Sequence, residues 1–192
     1  MKNEYFVLRH GHSKANEAKI ILSHLEDGKL EEFTLTEKGE DQVRNSALKA
    51  KADGILDETA IIISSPFSRC KRTAEIMSEV LEVREPVVFD DRLRERWFGN
   101  WERKGNENYE KVWAIDKVDP DHKIELVESA QDVQDRTAAV IADCENKYNG
   151  KKIVLVSHGD ALQILQTWFK KVSPARHREL THLETAEIRK LN

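Results

Sequence analysis

The sequence predicts an α/β protein, a largely parallel sheet with helices on both faces. Three observations carry this reading. Short apolar runs at about 4–9, 59–63 and 152–156 alternate with longer stretches of helical period, as in sheets whose strands are joined by helical crossovers. One run, Thr59-Ala60-Ile61-Ile62-Ile63, is β-branched and has no polar break, which suits a central strand covered on both sides. Two runs end alike, in His10-Gly11 and His158-Gly159. Both imidazoles are therefore expected at the carboxyl edge of one sheet, where open α/β folds bind ligands.

In chain order, Tyr5 to Leu8 form the apolar body of the first strand, and Gly11 permits the turn that follows. Ser13 is placed to cap a helix with apolar positions Ala15, Ala18, Ile21, Leu22 and Leu25, ended by Asp27-Gly28. Thr36 caps a second helix, with Val43, Ala47, Leu48 and Ala50 on its apolar face and Asp53-Gly54 at its end. After the strand at 59–63, Ser64-Ser65-Pro66 breaks the chain, and a helix from about 67 to 82 carries Arg69 and Arg72 on its first two turns. Pro86 to Phe89 reads as a short strand. Residues 92–127 hold three of the four tryptophans and no clean period, so they read as a loop with a helical excursion near 107–116. Ser129 and Asp132 resemble a capping box ahead of the stripe Val133, Thr137, Val140, Ile141 and Cys144. Lys152 to Val156 is the next buried strand, a helix follows to about 171, and the charged, alternating stretch Leu183 to Leu191 is an edge strand.

The bulk numbers bound the function. At 192 residues a single domain spanning 1–192 is expected, with the excursion at about 97–127 lying over the site. A net charge of −4 favours neither nucleic acid nor a membrane surface, and no apolar run is long enough to span a bilayer. Cys70 and Cys144 show no metal or redox spacing, which suits a reducing, cytoplasmic setting. The edge strand at 183–191 is a surface on which a second copy could pair into a homodimer.

Four elements converge at the carboxyl edge. Arg9 and His10 leave the first strand, Arg69 opens the helix after the second, His158 leaves the late strand, and Glu95 lies in the loop after the short third strand. Two guanidinium groups and two imidazoles around one anion would neutralise a phosphoryl group and hold it in line. One imidazole nitrogen can attack phosphorus, and a carboxylic acid then serves to protonate the leaving alkoxide and later to take a proton from water. Two glycines and a helix N-terminus would add backbone N–H donors. His10-x-His12 could instead be a metal-ligand pair, but the barrel that uses it needs a longer chain and more strands. His24, His122, His177 and His182 belong to no pattern, and Trp97, Phe98 and Trp101 read as packing residues.

The residue set resembles the histidine phosphatase superfamily, also called phosphoglycerate mutase-like, along nearly the whole chain. Leu8-Arg9-His10-Gly11-His12-Ser13 looks like the family's Arg-His-Gly signature, with Asn16 three residues past the hydroxyl. Leu35-Thr36-Glu37-Lys38-Gly39 with Gln42, then Ser64-Ser65-Pro66-Phe67-Ser68-Arg69-Cys70 with Thr73-Ala74, are similar to the second and third blocks. Leu93-Arg94-Glu95-Arg96-Trp97-Phe98-Gly99-Asn100-Trp101-Glu102 resembles the proton-donor block, and Val156-Ser157-His158-Gly159 the second-histidine block. Glu128-Ser129 with Arg136 is like a further block, although Val127 stands where a Gly is usual. The resemblance implies a three-layer αβα sandwich with one antiparallel edge strand, no cofactor and no metal. It implies His10 as nucleophile, Glu95 as general acid and then base, and Arg9, Arg69 and His158 as phosphoryl-binding groups. Ser13, Asn16 and the backbone N–H of Gly159 would assist.

Within that family the sequence favours a phosphomonoesterase acting through a phosphohistidine on a small-molecule phosphate ester. The alternatives are phosphoglycerate mutase-type phosphoryl transfer and a non-catalytic phosphate-binding module. Family mutases commonly carry an Asn after the second His-Gly and a paired Arg-Arg in the long insertion. Here Asp160 takes the Asn place, where a carboxylate would repel a bound carboxylate, and the chain has no adjacent Arg-Arg. Phe98 stands where mutases tend to place a Tyr, whereas Glu95-Arg96 is mutase-like. A non-catalytic module would be expected to have lost the nucleophile or an arginine, and none is missing.

Overall fold

The computed structural model describes residues 1–192. Its five strands are β1 (Glu4–Arg9), β2 (Ile61–Ser64), β3 (Val88–Phe89), β4 (Lys152–Ser157) and β5 (Ile188–Lys190), in the spatial order β3-β2-β4-β1-β5. The pairs β1–β4, β2–β4 and β2–β3 are parallel, and β5 runs antiparallel to β1. The helices are α1 (Lys14–Glu17), α2 (Leu25–Gly28), α3 (Glu37–Ala52), α4 (Ser68–Leu81), α5 (Tyr109–Asp116), α6 (Ala130–Lys147) and α7 (Gly159–Lys170).

The alternation of side chains along each strand builds two cores. Tyr5, Val7, Ile61, Ile63, Ile153 and Leu155 point to one face, where Val140, Ile141 and Cys144 of α6 and Leu162 and Leu165 of α7 cover them. Phe6, Leu8, Ile62, Val154 and Val156 point to the other, under Ala47 and Ala50 of α3 and Cys70, Ala74, Met77 and Leu81 of α4. The result is the three-layer αβα sandwich. Each fully buried aliphatic side chain contributes about 1.5–3 kcal/mol, so both layers are needed to offset chain entropy. Helix starts follow the sequence: Thr36 Oγ1 accepts from Gly39 N at 3.1 Å and Ser129 Oγ from Asp132 N at 3.0 Å. The Asp132 carboxylate also pairs with Lys123 at 3.0 Å.

Three expectations need correction. The single helix expected from Ser13 to Gly28 is two single turns. Lys19 takes a left-handed φ of 54°, and the chain then pairs with the excursion, through Ile21 N to Lys104 O at 2.9 Å and Arg103 N to Ile21 O at 2.8 Å. Ile21 is buried against Phe98, Val112 and Val127, so its apolar character serves that cluster and not a helix face. The edge strand shrinks to three residues because 183–187 turn back onto Arg9, with Ala186 N bonded to Arg9 O at 3.0 Å and Ala186 at a φ of 60°. Leu48 is 51% exposed and lies outside the apolar face of α3. Gly11 does exclude a side chain, as expected: a Cβ there would meet Gly39 O at 2.4 Å.

Candidate active site

The sheet register sets the site. Arg9 pairs with Ser157 across β1 and β4, so the next residues, His10 and His158, leave adjacent strands at one level. Their ring centroids lie 5.2 Å apart, edge to face. On the far side of β4, Ser64 pairs with Val156, and Ser65-Pro66-Phe67 leads directly to Arg69 in the first turn of α4. Glu95 arrives from the short turn after β3, which Ser157 Oγ fastens by donating to Leu93 O at 2.6 Å.

A cavity of about 190 Å³ opens here, and Arg9, His10, Ser13, Asn16, Arg69, Glu95 and Gly159 all line it. His10 is 3% exposed. Its Nδ1 donates to the carbonyl of Gly11 at 2.8 Å, so Nε2 carries the lone pair and accepts from Arg69 Nε at 3.2 Å. Burial, with the charges of Arg69 and Arg9, holds the ring well below its usual 6.5 and therefore neutral. Arg69 Nη2 is anchored on Leu22 O at 2.9 Å, whereas its Nη1 and the Nε of Arg9 are buried with no protein partner. Unpaired guanidinium N–H groups beside a cavity call for an anion.

Glu95 is 7% exposed. Its Oε1 accepts from Arg96 N at 2.9 Å and Ala161 N at 3.3 Å, which leaves the other oxygen without a protein partner. Burial raises its pKa to about 7, and the like charge of Asp160 pushes the same way. Ser13 and Asn16 reach the wall as a capping pair, each side chain bonded to the other residue's backbone N–H. The excursion adds Asn106, Tyr109 and Trp113 to the cavity wall, with Lys19 and His182.

His158 departs from expectation. It is fully buried and does not line the cavity. Its Nε2 lies 2.9 Å from Ser65 Oγ, and its ring packs edge-on against Phe67 and His10. In this arrangement it backs the His10 ring instead of reaching the cavity itself. His12 turns away from His10, placing Nδ1 3.0 Å from Thr36 Oγ1, so the two do not form a ligand pair.

Asp160 lines the cavity but is not a free carboxylate. Trp113 Nε1 donates to its Oδ1 at 2.9 Å, and Arg96 Nη1 lies 3.3 Å from its Oδ2. Arg96, fully buried, forks onto Asp116 with two bonds of 2.7 Å. His122 Nε2 stands 2.9 Å from Asp116, and His177 Nε2 is 3.8 Å from Asp116 and 3.6 Å from Asp160. This buried cluster ties the excursion to α7 behind Glu95. Nothing in the sequence announced it, because the partners of Arg96 are scattered along the chain.

The histidine phosphatase superfamily (branch 1) model matches residues 5–192. Proteins named probable phosphoglycerate mutase GpmB, from Escherichia coli and Shigella boydii, are 33% identical over 167 residues, covering 84% of this chain and 72% of theirs. Among solved structures, a mycobacterial glucosyl-3-phosphoglycerate phosphatase superposes with a TM-score of 0.78 at 22% identity, covering 97% of this chain and 88% of its own. A phosphoserine phosphatase from Entamoeba histolytica does so at 0.77 and 23%, covering 98% and 89%. The structural matches show that the fold is shared.

Proposed function

The chain belongs to the histidine phosphatase superfamily, and from that premise we propose that it hydrolyses a small phosphate monoester through a phosphohistidine formed on His10. One observation carries the proposal: Nδ1–H of His10 is held by Gly11 O, so an uncharged Nε2 lone pair stands at the cavity beside guanidinium N–H groups that lack protein partners.

In the first step Nε2 gives up the Arg69 Nε–H and attacks phosphorus, the freed N–H turns to a phosphoryl oxygen, and the bond from phosphorus to the ester oxygen breaks. Glu95, partly protonated near neutral pH, gives its proton to the leaving alkoxide. In the second step the Glu95 carboxylate takes a proton from water, the hydroxide oxygen attacks phosphorus, and the N–P bond breaks to restore the lone pair. Arg9 and Arg69 carry the phosphoryl charge throughout. Ser13, Asn16 and the N–H of Gly159 assist binding, and His158 holds the nucleophilic ring from behind. No metal is needed, and residues 1–192 act as one domain in the cytoplasm.

A mutase reading has specific support, since the relatives at 33% identity carry that name. The repulsion expected from Asp160 is also weaker than its sequence position implies, because Arg96, shared with Asp116, partly offsets its charge and Trp113 takes up one of its oxygens. The absence of an adjacent Arg-Arg still favours water as acceptor. The test is incubation with a labelled phosphate donor and a chelator. Acid-labile, alkali-stable label on the unaltered protein, absent from His10→Ala, with release of inorganic phosphate, is expected. Transfer of the label to a phosphoglycerate would favour the mutase. No label and no turnover of an activated aryl phosphate would leave a binding module.

A further inference from the structure

The geometry points to His182, which no sequence motif singled out, as a positioning residue that fixes the rotation of the Arg9 guanidinium so that one edge of it faces the phosphoryl group. The inference rests on the proposed reading of the cavity as a phosphoryl site. A guanidinium has five N–H groups and no acceptor. Arg9 spends both protons of Nη1 on the protein: one on Nε2 of His182 at 2.7 Å, the other on the carbonyl of Leu183 at 2.7 Å. Covalent geometry places Nε and Nη2 on the opposite edge, and neither is bonded to protein, the Nε being buried without a partner. That edge is the fork that binds two oxygens of one phosphoryl group.

The histidine's own state follows from its neighbour. Arg9 is always a donor, so Nε2 of His182 must accept, and the ring proton sits on Nδ1, which is buried without a protein partner. Burial and the charges of Arg9 and Arg178 keep the ring neutral, as an acceptor must be. Gly159 completes the arrangement. A Cβ there would stand 3.3 Å from both Cζ and Nε of Arg9 and 3.4 Å from Cε1 of His182, so the pair lies against the start of α7 only because no side chain intervenes.

Calorimetric titration with inorganic phosphate reads the effect without requiring turnover. His182→Ala is expected to weaken phosphate binding about tenfold, the cost of one charge-assisted hydrogen bond and the orientation it imposes. His182→Gln, which returns a neutral acceptor, is expected to recover most of that loss. With an ester substrate the loss should fall on KM more than on kcat. In an Arg9→Lys background, which lacks the fork, His182→Ala should add little. Three results would overturn the inference: phosphate affinity indifferent to His182→Ala, an amide variant no better than alanine, or the full tenfold loss persisting beside Arg9→Lys. An unaltered protein that binds no phosphate would remove the phosphoryl site itself, a distinct outcome from tight binding that ignores residue 182.

Discussion

Arg69 donates its Nε–H to Nε2 of His10 across 3.2 Å, so one guanidinium aims the nucleophile's lone pair and at the same time offers an unpaired Nη1 to an anion. The ring's low proton affinity depends on that charge, which ranks next to burial among its causes. Replacing Arg69 by Gln should therefore do two things. It should cost about 100-fold or more in kcat/KM through lost charge stabilisation. It should also move the acid limb of the pH profile upward, because a ring freed of the neighbouring cation gains its proton at higher pH. A pH–rate series on an aryl phosphate reads both.

Glu95→Gln should separate the two kinds of leaving group. An alkyl ester needs its departing oxygen protonated, so phosphoenzyme formation from it should fall by about 10²–10⁴. A nitrophenyl ester leaves unaided, and its phosphoenzyme should still form. The alkaline limb, placed by Glu95's pKa of about 7, should disappear from the first step. Single-turnover label measurements distinguish these, and equal loss on both esters would put the acid elsewhere.

The sheet and the cavity were legible because they follow from local patterns. The strand-ending histidines could be placed together from topology alone, and the last registered pair, Arg9 with Ser157, leads to rings 5.2 Å apart. Glu95 was legible only through the block around it. What the sequence hid depends on contacts between distant residues. The helix expected at 13–28 fails because Ile20 and Ile21 pair with 103–106, a partner that no local period encodes. His182 looked idle because its meaning lies in Arg9, and the pairing of Arg96 was hidden because Asp116 and Asp160 are remote in the chain. His158 was correctly placed beside His10, but whether its ring reaches the cavity depends on Ser65 and Phe67, which take up its edge.

The Arg96 cluster should behave as a stability hub. Arg96→Met leaves the carboxylates of Asp116 and Asp160 buried without their cation, and should cost about 3–5 kcal/mol. Lys14→Ala, which breaks an exposed pair with Glu17, should cost under about 1 kcal/mol. Urea titration of both variants at one pH compares them directly.

Gly39→Ala tests the close crossing under the first loop. The added methyl would sit 2.0 Å from His12 O, and Gly11 in turn approaches Gly39 O within 2.4 Å of an added Cβ. Backbone must move, and the loop that carries His10 moves with it. A clear fall in melting temperature is expected together with weaker phosphate binding. The control Gly54→Ala meets no neighbouring atom and, at a φ of 68°, should show only the modest strain of a left-handed alanine, with phosphate binding unchanged.

Acid stability gives the last test, because the site's groups pull in opposite directions. His10 and His158 are neutral in the fold well below 6.5, whereas in the unfolded chain they protonate near that value. As pH falls below about 6.5 the unfolded state gains protons that the fold refuses, and each ring removes up to about 1.4 kcal/mol of stability per pH unit. Half-exposed His182 adds a smaller loss of the same sign. Glu95 opposes them. Its folded pKa of about 7 lies above its ordinary 4.5, so between those values the fold binds the extra proton and acid restores stability that Glu95 costs at high pH. Glu95→Gln removes the opposing member while keeping an acceptor for Arg96 N and Ala161 N. The variant should therefore be more stable than the unaltered protein at pH 8, by roughly 3 kcal/mol if the full shift is realised. That advantage should shrink steadily as pH falls to 5, because the variant loses stability on the steeper slope. Urea midpoints at pH 8, 6.5 and 5 measure the two slopes. Parallel lines would mean that Glu95 ionises in the fold as it does in the unfolded chain, and the proposed proton donor would then have no proton to give at neutral pH.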